Sequence, residues 1–396
     1  MNKGRREVGL LAAMQALFSS VAVTMVSVVA LVGMSLAPNP KWATLPYALV
    51  TVGTALSTIP LSFLMKRWSR RTGFILGALS GICGATLAVL ALHFHSFELL
   101  LLAAPFFGIY QASSQYYRFA AAEAVGEKDR GLAISLVLSG SIFAAVVAPN
   151  IARWSNMSWN LDLYMGPYVL VGIFAFLALL VGPLLHKRSA VEDDQIAHGD
   201  ERPLSEILRQ PSTLTAMFLS LVGWTSMVFI MSATPIAMNG HGFSYDDSTI
   251  VIQWHMLGMY VPSLFTGFLI RRFGVEGVLM GGVLLLALTL GVGYSGVEFL
   301  HFSVALILLG VGWNFAFVGS TTLLTETYRP SERAKVQGLN EFVTFTSSAI
   351  AGFSAGYVHA YMGWQGVMVI NGGLVFAGSL MVLWHRKVRM RQALPS

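Results

Sequence analysis

The sequence predicts an all-α membrane protein of twelve transmembrane helices in two six-helix halves. Three observations lead there. The chain is 55% hydrophobic and only 11% charged, where a soluble globular protein carries about 25% charged residues. Apolar runs recur that reach the roughly 20 residues a helix needs to cross a bilayer. They are continuous rather than alternating, which selects helices over barrel strands. Finally, 22 of the 25 Lys and Arg residues fall on one side of a twelve-span arrangement. Lys41 and Arg153 fall on the other side, and Arg118 lies within a span. An excess of basic loops marks the cytoplasmic face, so both termini are expected there. The net charge of +6 is dispersed over short loops, which argues against a nucleic-acid partner.

The first span, roughly 9–36, is too long for a signal-peptide core and lacks a small-residue cleavage site, so it is expected to be retained. Spans two to six follow at roughly 44–65, 74–94, 98–122, 131–151 and 167–186. Basic clusters at Lys66-Arg67, Arg70-Arg71, Lys128 and Arg130 punctuate them. The lone cysteine, Cys83, lies in span three and reads as a small apolar packing residue. The longest polar stretch, 187–211, holds Glu192, Asp193, Asp194, Asp200 and Glu201 and divides the chain. The expected organisation is an N-terminal half 1–186, a cytoplasmic linker 187–211 and a C-terminal half 212–396. The end of the linker, 203–211, is expected to form a short helix on the membrane surface. Spans seven to twelve lie at roughly 213–238, 248–270, 276–297, 300–325, 336–358 and 366–385.

The halves echo each other. Lys66-Arg67-Trp68-Ser69-Arg70-Arg71 follows span two, and Arg271-Arg272-Phe273-Gly274 follows span eight. Glu123 precedes Arg130 by seven residues after span four, and Glu326 precedes Arg333 by seven after span ten. Two similar six-span halves indicate a parallel repeat with a solute path near the midplane. On this plan, over essentially its whole length, the chain resembles the major facilitator superfamily. Its basic loops are similar to that family's Gly-x-x-x-Asp-Arg-x-Gly-Arg-Arg element. The first copy departs from it at Lys66 and Ser69, whereas Gly267, Arg272 and Gly274 of the second fit. The resemblance implies a secondary transporter rather than an enzyme. No Gly-x-x-x-x-Gly-Lys-Ser/Thr run is present to suggest an ATPase.

Two four-residue steps stand out in spans seven and eight: Met227-x-x-x-Met231 and His255-x-x-x-Met259. Each step is about one helical turn and places its pair on one face. The steps are mirrored about residue 243, so an antiparallel hairpin sets Met231 level with His255 and Met227 level with Met259. Methionine accumulates in apolar spans as packing filler, so either step alone is weak. The pairing in mirrored register is the signal. A mid-span histidine is costly and usually marks a pathway; the bland alternative is an imidazole bonded to a neighbouring helix. Three thioethers and an imidazole form a soft, neutral donor set suited to Cu(I) and able to release it. With its 24-residue gap from Met231 to His255, the pattern is similar to that of the CcoA-type copper importers, a branch of the superfamily. That resemblance implies Met227, Met231, His255 and Met259 as the copper-binding residues. It also implies copper as cargo rather than cofactor, and delivery toward chaperones that assemble cbb-type cytochrome oxidase.

Polar residues within the other spans supply secondary candidates. Glu341 in span eleven and Arg118 in span four are candidates for proton coupling or gating. Gln111, Gln115 and Asn314 are candidates for lining a hydrated cavity. Met238, His241, His359 and Met362 lie near the opposite membrane face, where they either hand a metal inward or are simply tolerated. Arg118, Gln111 and Gln115, with Tyr116, Tyr117 and Trp313, equally suit an organic solute such as a vitamin or drug. That is the alternative to copper.

Overall fold

The computed structural model describes residues 3–39, 42, 44–159, 164–186 and 201–393. Lys41 and the linker stretch 187–200, with Lys187, Arg188, Glu192, Asp193, Asp194 and Asp200, lie outside the described residues. Among the described residues the chain is helical, with no strand. The helices are α1 (Lys3–Leu36), α2 (Leu45–Arg67), α3 (Arg70–His93), α4 (Phe97–Ser114), α5 (Tyr117–Glu123), α6 (Arg130–Ser139), α7 (Ser141–Ser158) and α8 (Met165–Val181). They continue with α9 (Leu204–Leu208), α10 (Pro211–Gly240), α11 (Tyr245–Tyr260), α12 (Ser263–Ser295), α13 (Phe299–Leu324) and α14 (Arg333–Ala393).

Among the described residues, ten helical stretches are long and apolar enough to cross a membrane. Two of them carry a backbone break. Gly274 (φ 76°) interrupts α12 and Gly363 (φ 66°) interrupts the 61-residue α14. A straight helix of that length would extend roughly 90 Å, about three times a bilayer core. Positive φ is readily adopted only by glycine, so these residues turn the chain between successive spans. With α11 running into the start of α12, the twelve expected spans are accounted for. Pairs of shorter helices also make single spans: α4 with α5, and α6 with α7. The short helix expected over 203–211 is α9, with Ile207 buried. Many large apolar side chains face outward, among them Leu56, Leu300, Phe353 and Phe376. This is the surface that hydrocarbon requires, and the protein is a multi-pass membrane protein. Cys83 is exposed on α3 rather than packed inside, because its helix position turns toward this outer surface.

Packing divides the chain into two compact units that cross the sequence halves. Unit 1 comprises Met1–Val125, Gly140–Glu201 and Arg329–Phe345; unit 2 comprises Gly126–Ser139, Arg202–Tyr328 and Thr346–Ser396. Each therefore borrows one helix segment from the other half. In unit 1, Ser62 Oγ donates to the Ala334 carbonyl at 2.8 Å. In unit 2, Ser135 Oγ donates to the Ser263 carbonyl at 2.5 Å and accepts from Gly267 N at 3.0 Å. A Cβ on Gly267 would lie 2.5 Å from Leu132 Cα, so this crossing of α6 and α12 requires glycine.

Outside the membrane, Glu201 binds Lys66 and Lys335 within unit 1. The Lys66 ammonium, followed by Lys335, holds the Glu201 carboxyl below the usual carboxylate range. Burial pushes Glu326 the other way.

Candidate functional site

The helices carrying the paired steps form the expected hairpin. Helix α10 ends at Gly240, Gly242 (φ 86°) turns the chain, and α11 begins at Tyr245. Ser244 caps α11: its Oγ accepts from Asp247 N at 3.1 Å, while Asp247 Oδ2 accepts from Ser244 N at 2.9 Å. This reciprocal cap satisfies donors at the helix start and fixes where the turn ends. The connection is centred where the mirrored steps require.

Both helices pack more extensively against α13 than against each other. The approach of α11 to α13 is set by glycine. A Cβ on Gly310 would sit 2.5 Å from the His255 carbonyl oxygen, and one on Gly258 would sit 2.8 Å from that of Ile307. Small residues allow such close backbone crossing in membranes. The consequence is a fully buried His255 whose Nδ1 lies 2.8 Å from the Leu306 carbonyl oxygen. A carbonyl only accepts, so Nδ1 carries the proton and Nε2 keeps its lone pair. Nε2 is buried and has no hydrogen-bond partner among the described residues. An imidazole pinned through one nitrogen and open at the other is the arrangement that metal-ligating histidines show.

Met259, one turn along, is buried beside the same helix. Its carbonyl accepts from Asn314 Nδ2 at 2.7 Å. Asn314 also donates to Ser263 Oγ at 2.6 Å and accepts from Thr266 Oγ1 at 2.7 Å. The expected cavity role of Asn314 is therefore corrected: its fully buried amide is consumed in holding the α11–α12 junction. On α10, Met227 is buried and Met231 half-buried. Trp224, one turn before Met227, stands edge-on to Trp313 of α13 at 5.2 Å between ring centroids. Tyr260, next to Met259, reaches the same Trp313 at 6.2 Å. Neighbours of Met227 and of Met259 thus both reach Trp313 of α13. Met238, near the far end of α10, is buried as well. Sequence reasoning named Trp313 only for the alternative, and missed Trp224, Tyr260 and Phe317, which stacks on Trp313 at 4.8 Å. Phe317 stands four residues after Trp313, Trp224 three before Met227 and Tyr260 next to Met259, and those spacings were the available signal.

Arg118, Glu341, Gln111 and Gln115 lie in unit 1, and the first two partner each other. Arg118 Nη2 meets Glu341 Oε1 at 2.6 Å, with side chains 3% and 0% exposed. Asn340 Nδ2 donates to the same oxygen at 2.7 Å. Glu341 Oε2 is buried without a partner among the described residues. Gln115 supports the pair: its carbonyl and its Oε1 accept from Arg118 Nη1 at 2.9 and 3.0 Å. Gln115 therefore positions Arg118, while Gln111 is half-buried on the same face of α4. Arg118 meets Glu341, whereas Glu123 pairs with Arg70 at 2.6 Å and Arg333 at 3.5 Å.

Twelve spans, a crossed pair of helical segments and buried polar groups within the spans define a membrane transporter. The Major Facilitator Superfamily model matches residues 9–259 and 230–395, and the chain belongs to that family. It is 37% identical over 361 residues to the riboflavin transporter RfnT of Brucella anthropi, covering 91% of each chain. Its fold is similar to that of a bacterial homologue of the iron transporter ferroportin in an outward-facing state (TM-score 0.74, 12% identity, covering 96% of this chain and 99% of that one). It is similarly close to the human organic anion transporter MFSD10 (TM-score 0.74, 15% identity, covering 96% and 99%).

Proposed function

We propose that this facilitator-fold transporter imports copper, as Cu(I), across a bacterial inner membrane by alternating access, with both termini cytoplasmic. The observation that carries the reading is His255: a fully buried imidazole with Nδ1 held by Leu306 and Nε2 left open. Met259 lies one turn away and Met227 and Met231 stand on the neighbouring helix. A neutral imidazole and thioethers are soft ligands that discriminate against Mg²⁺ and release Cu(I) more readily than thiolates would. They also leave the bound ion with one positive charge, less costly to bury than two. The Arg118–Glu341 pair, with one carboxylate oxygen unoccupied, is the candidate proton-coupling or gating element. Imported copper would pass to chaperones of cbb-type cytochrome oxidase assembly.

A second reading is uptake of a flat organic solute such as riboflavin. The 37% identity to RfnT favours it over copper, and the Trp224, Trp313, Phe317 and Tyr260 rings supply stacking surfaces. Uptake of radioactive copper and of labelled riboflavin into cells expressing the wild type or His255→Ala at equal levels separates the two. Copper uptake that is lost in the variant supports the first reading. Copper uptake at the background of cells lacking the protein, or unchanged by His255→Ala, sinks it. Riboflavin uptake unaffected by a Cu(I) chelator establishes the second.

A further inference from the structure

On the outer surface of unit 2, α10 and the end of α14 leave a groove of about 380 Å³ lined by Leu214, Phe218, Ala377, Leu380, Met381 and Trp384. The volume falls within the roughly 300–1,000 Å³ of small-molecule sites. The lining is apolar, and Leu214, Leu380 and Trp384 are exposed. At the basic-loop end the two helices are tied together. Ser212 Oγ lies 3.0 Å from His385 Nε2, and His385 Nδ1 lies 3.2 Å from Glu276 Oε1. Arg389 meets the same Glu276 oxygen at 3.2 Å. The local carboxylate is thus already matched by its own cation.

Other cations remain. Positions 377, 380 and 384 form one stripe of α14, and helical spacing carries that stripe on to 387 and 391. Lys387 and Arg391 are exposed there, and neither has an ion pair among the described residues. They stand roughly 4.5 and 10 Å beyond Trp384 along the axis, where headgroups begin if Trp384 marks the interface. Arg209, also exposed, immediately precedes α10 on the other flank. The groove therefore changes from apolar to cationic along its length.

We propose that the groove binds an anionic phospholipid from the leaflet at the basic end, its acyl chain along Leu214, Phe218, Leu380 and Trp384. Its phosphate meets Lys387, Arg391 and Arg209. A zwitterionic lipid fills the apolar part equally but gains less from the cations. The expected preference is roughly fivefold per basic residue engaged. The inference is independent of the cargo.

The test uses full-length protein in phosphatidylcholine vesicles with acyl-brominated phosphatidylglycerol or acyl-brominated phosphatidylcholine added in steps. The Trp384 emission is the difference between wild type and Trp384→Phe. Phosphatidylglycerol is expected to quench it at a mole fraction on the order of a hundredfold lower if all three basic residues engage, with the preference weakening in salt. Lys387→Gln with Arg391→Gln is expected to cut the preference to the roughly fivefold that Arg209 alone supplies, without lowering the melting temperature. Equal quenching by the two lipids, or a preference undiminished by the double substitution, overturns the proposal. Should Trp384→Phe fail to fold, phosphatidylglycerol retained after detergent washing is compared between wild type and the double variant, and equal retention overturns it.

Discussion

At the residue scale, the mid-span polar side chains separate into those consumed by structure and those with an atom to spare. Asn314 spends its amide on Met259, Ser263 and Thr266. Among the described residues, His255 and Glu341 each retain one buried atom without a partner. On the proposed copper reading, where loss of groups that support a metal site typically costs about 10–100-fold, His255→Ala is expected to lower copper accumulation by at least roughly tenfold, measured at equal expression. Met231→Ala, on a half-buried side chain, is expected to fall less. For the ion pair, Arg118→Leu strands a buried carboxylate and is expected to cost about 3–5 kcal/mol, whereas Arg118→Leu with Glu341→Leu recovers most of that. Melting temperatures in detergent check the comparison. A double variant no more stable than the single one contradicts it.

At the scale of elements, glycines decide how closely helices cross and where they turn. Gly310→Ala places a methyl against the His255 backbone and is expected to cost about 1–3 kcal/mol through overpacking. It should also impair copper uptake by displacing α11. Gly223, where an added Cβ meets Ala316 Cβ at 3.4 Å and Trp313 at 3.9 Å, both ordinary contacts, is the matched control and should tolerate alanine. Gly274 differs in kind. An added Cβ there meets nothing within 4 Å, yet the backbone sits at φ 76°, ψ 163°. Gly274→Ala is therefore expected to cost about 1–3 kcal/mol by backbone strain alone, read as a lowered melting temperature. The same substitution without effect would show that the turn relaxes freely.

At the scale of the whole molecule, the sequence echo becomes reciprocal contact. Glu123 of the first half meets Arg333 of the second within unit 1, at 3.5 Å. Arg130 of the first half donates to the Thr325 carbonyl, beside Glu326 of the second, within unit 2 at 3.1 Å. Each repeat thus supplies a charge to the unit built mainly from the other. Glu123→Gln removes the counter-charge from Arg70 and Arg333 and is expected to lower stability by about 1–3 kcal/mol. The loss should persist at high salt, because these side chains are largely buried and weakly screened.

The spans, the hairpin of α10 and α11 and the one-turn spacing of its Met and His residues were legible in the sequence. Each follows from apolar run length, loop charge or helical period, which are local properties. Gly267 and Gly274 were legible as motif positions, though not as a tight crossing and a turn. The pairing of Arg118 with Glu341, 223 residues apart, was not legible, because both are isolated polar residues in apolar runs with several conceivable partners. Neither was the pinning of His255 by a backbone carbonyl, since any residue supplies one. Nor was the exchange of α6 and the start of α14 between packing units. Local chemistry therefore determined which segments cross the membrane and which side chains stand on each face. Only tertiary packing decided which buried polar atoms are satisfied and which remain open, because satisfaction depends on what a neighbouring helix brings within about 3 Å.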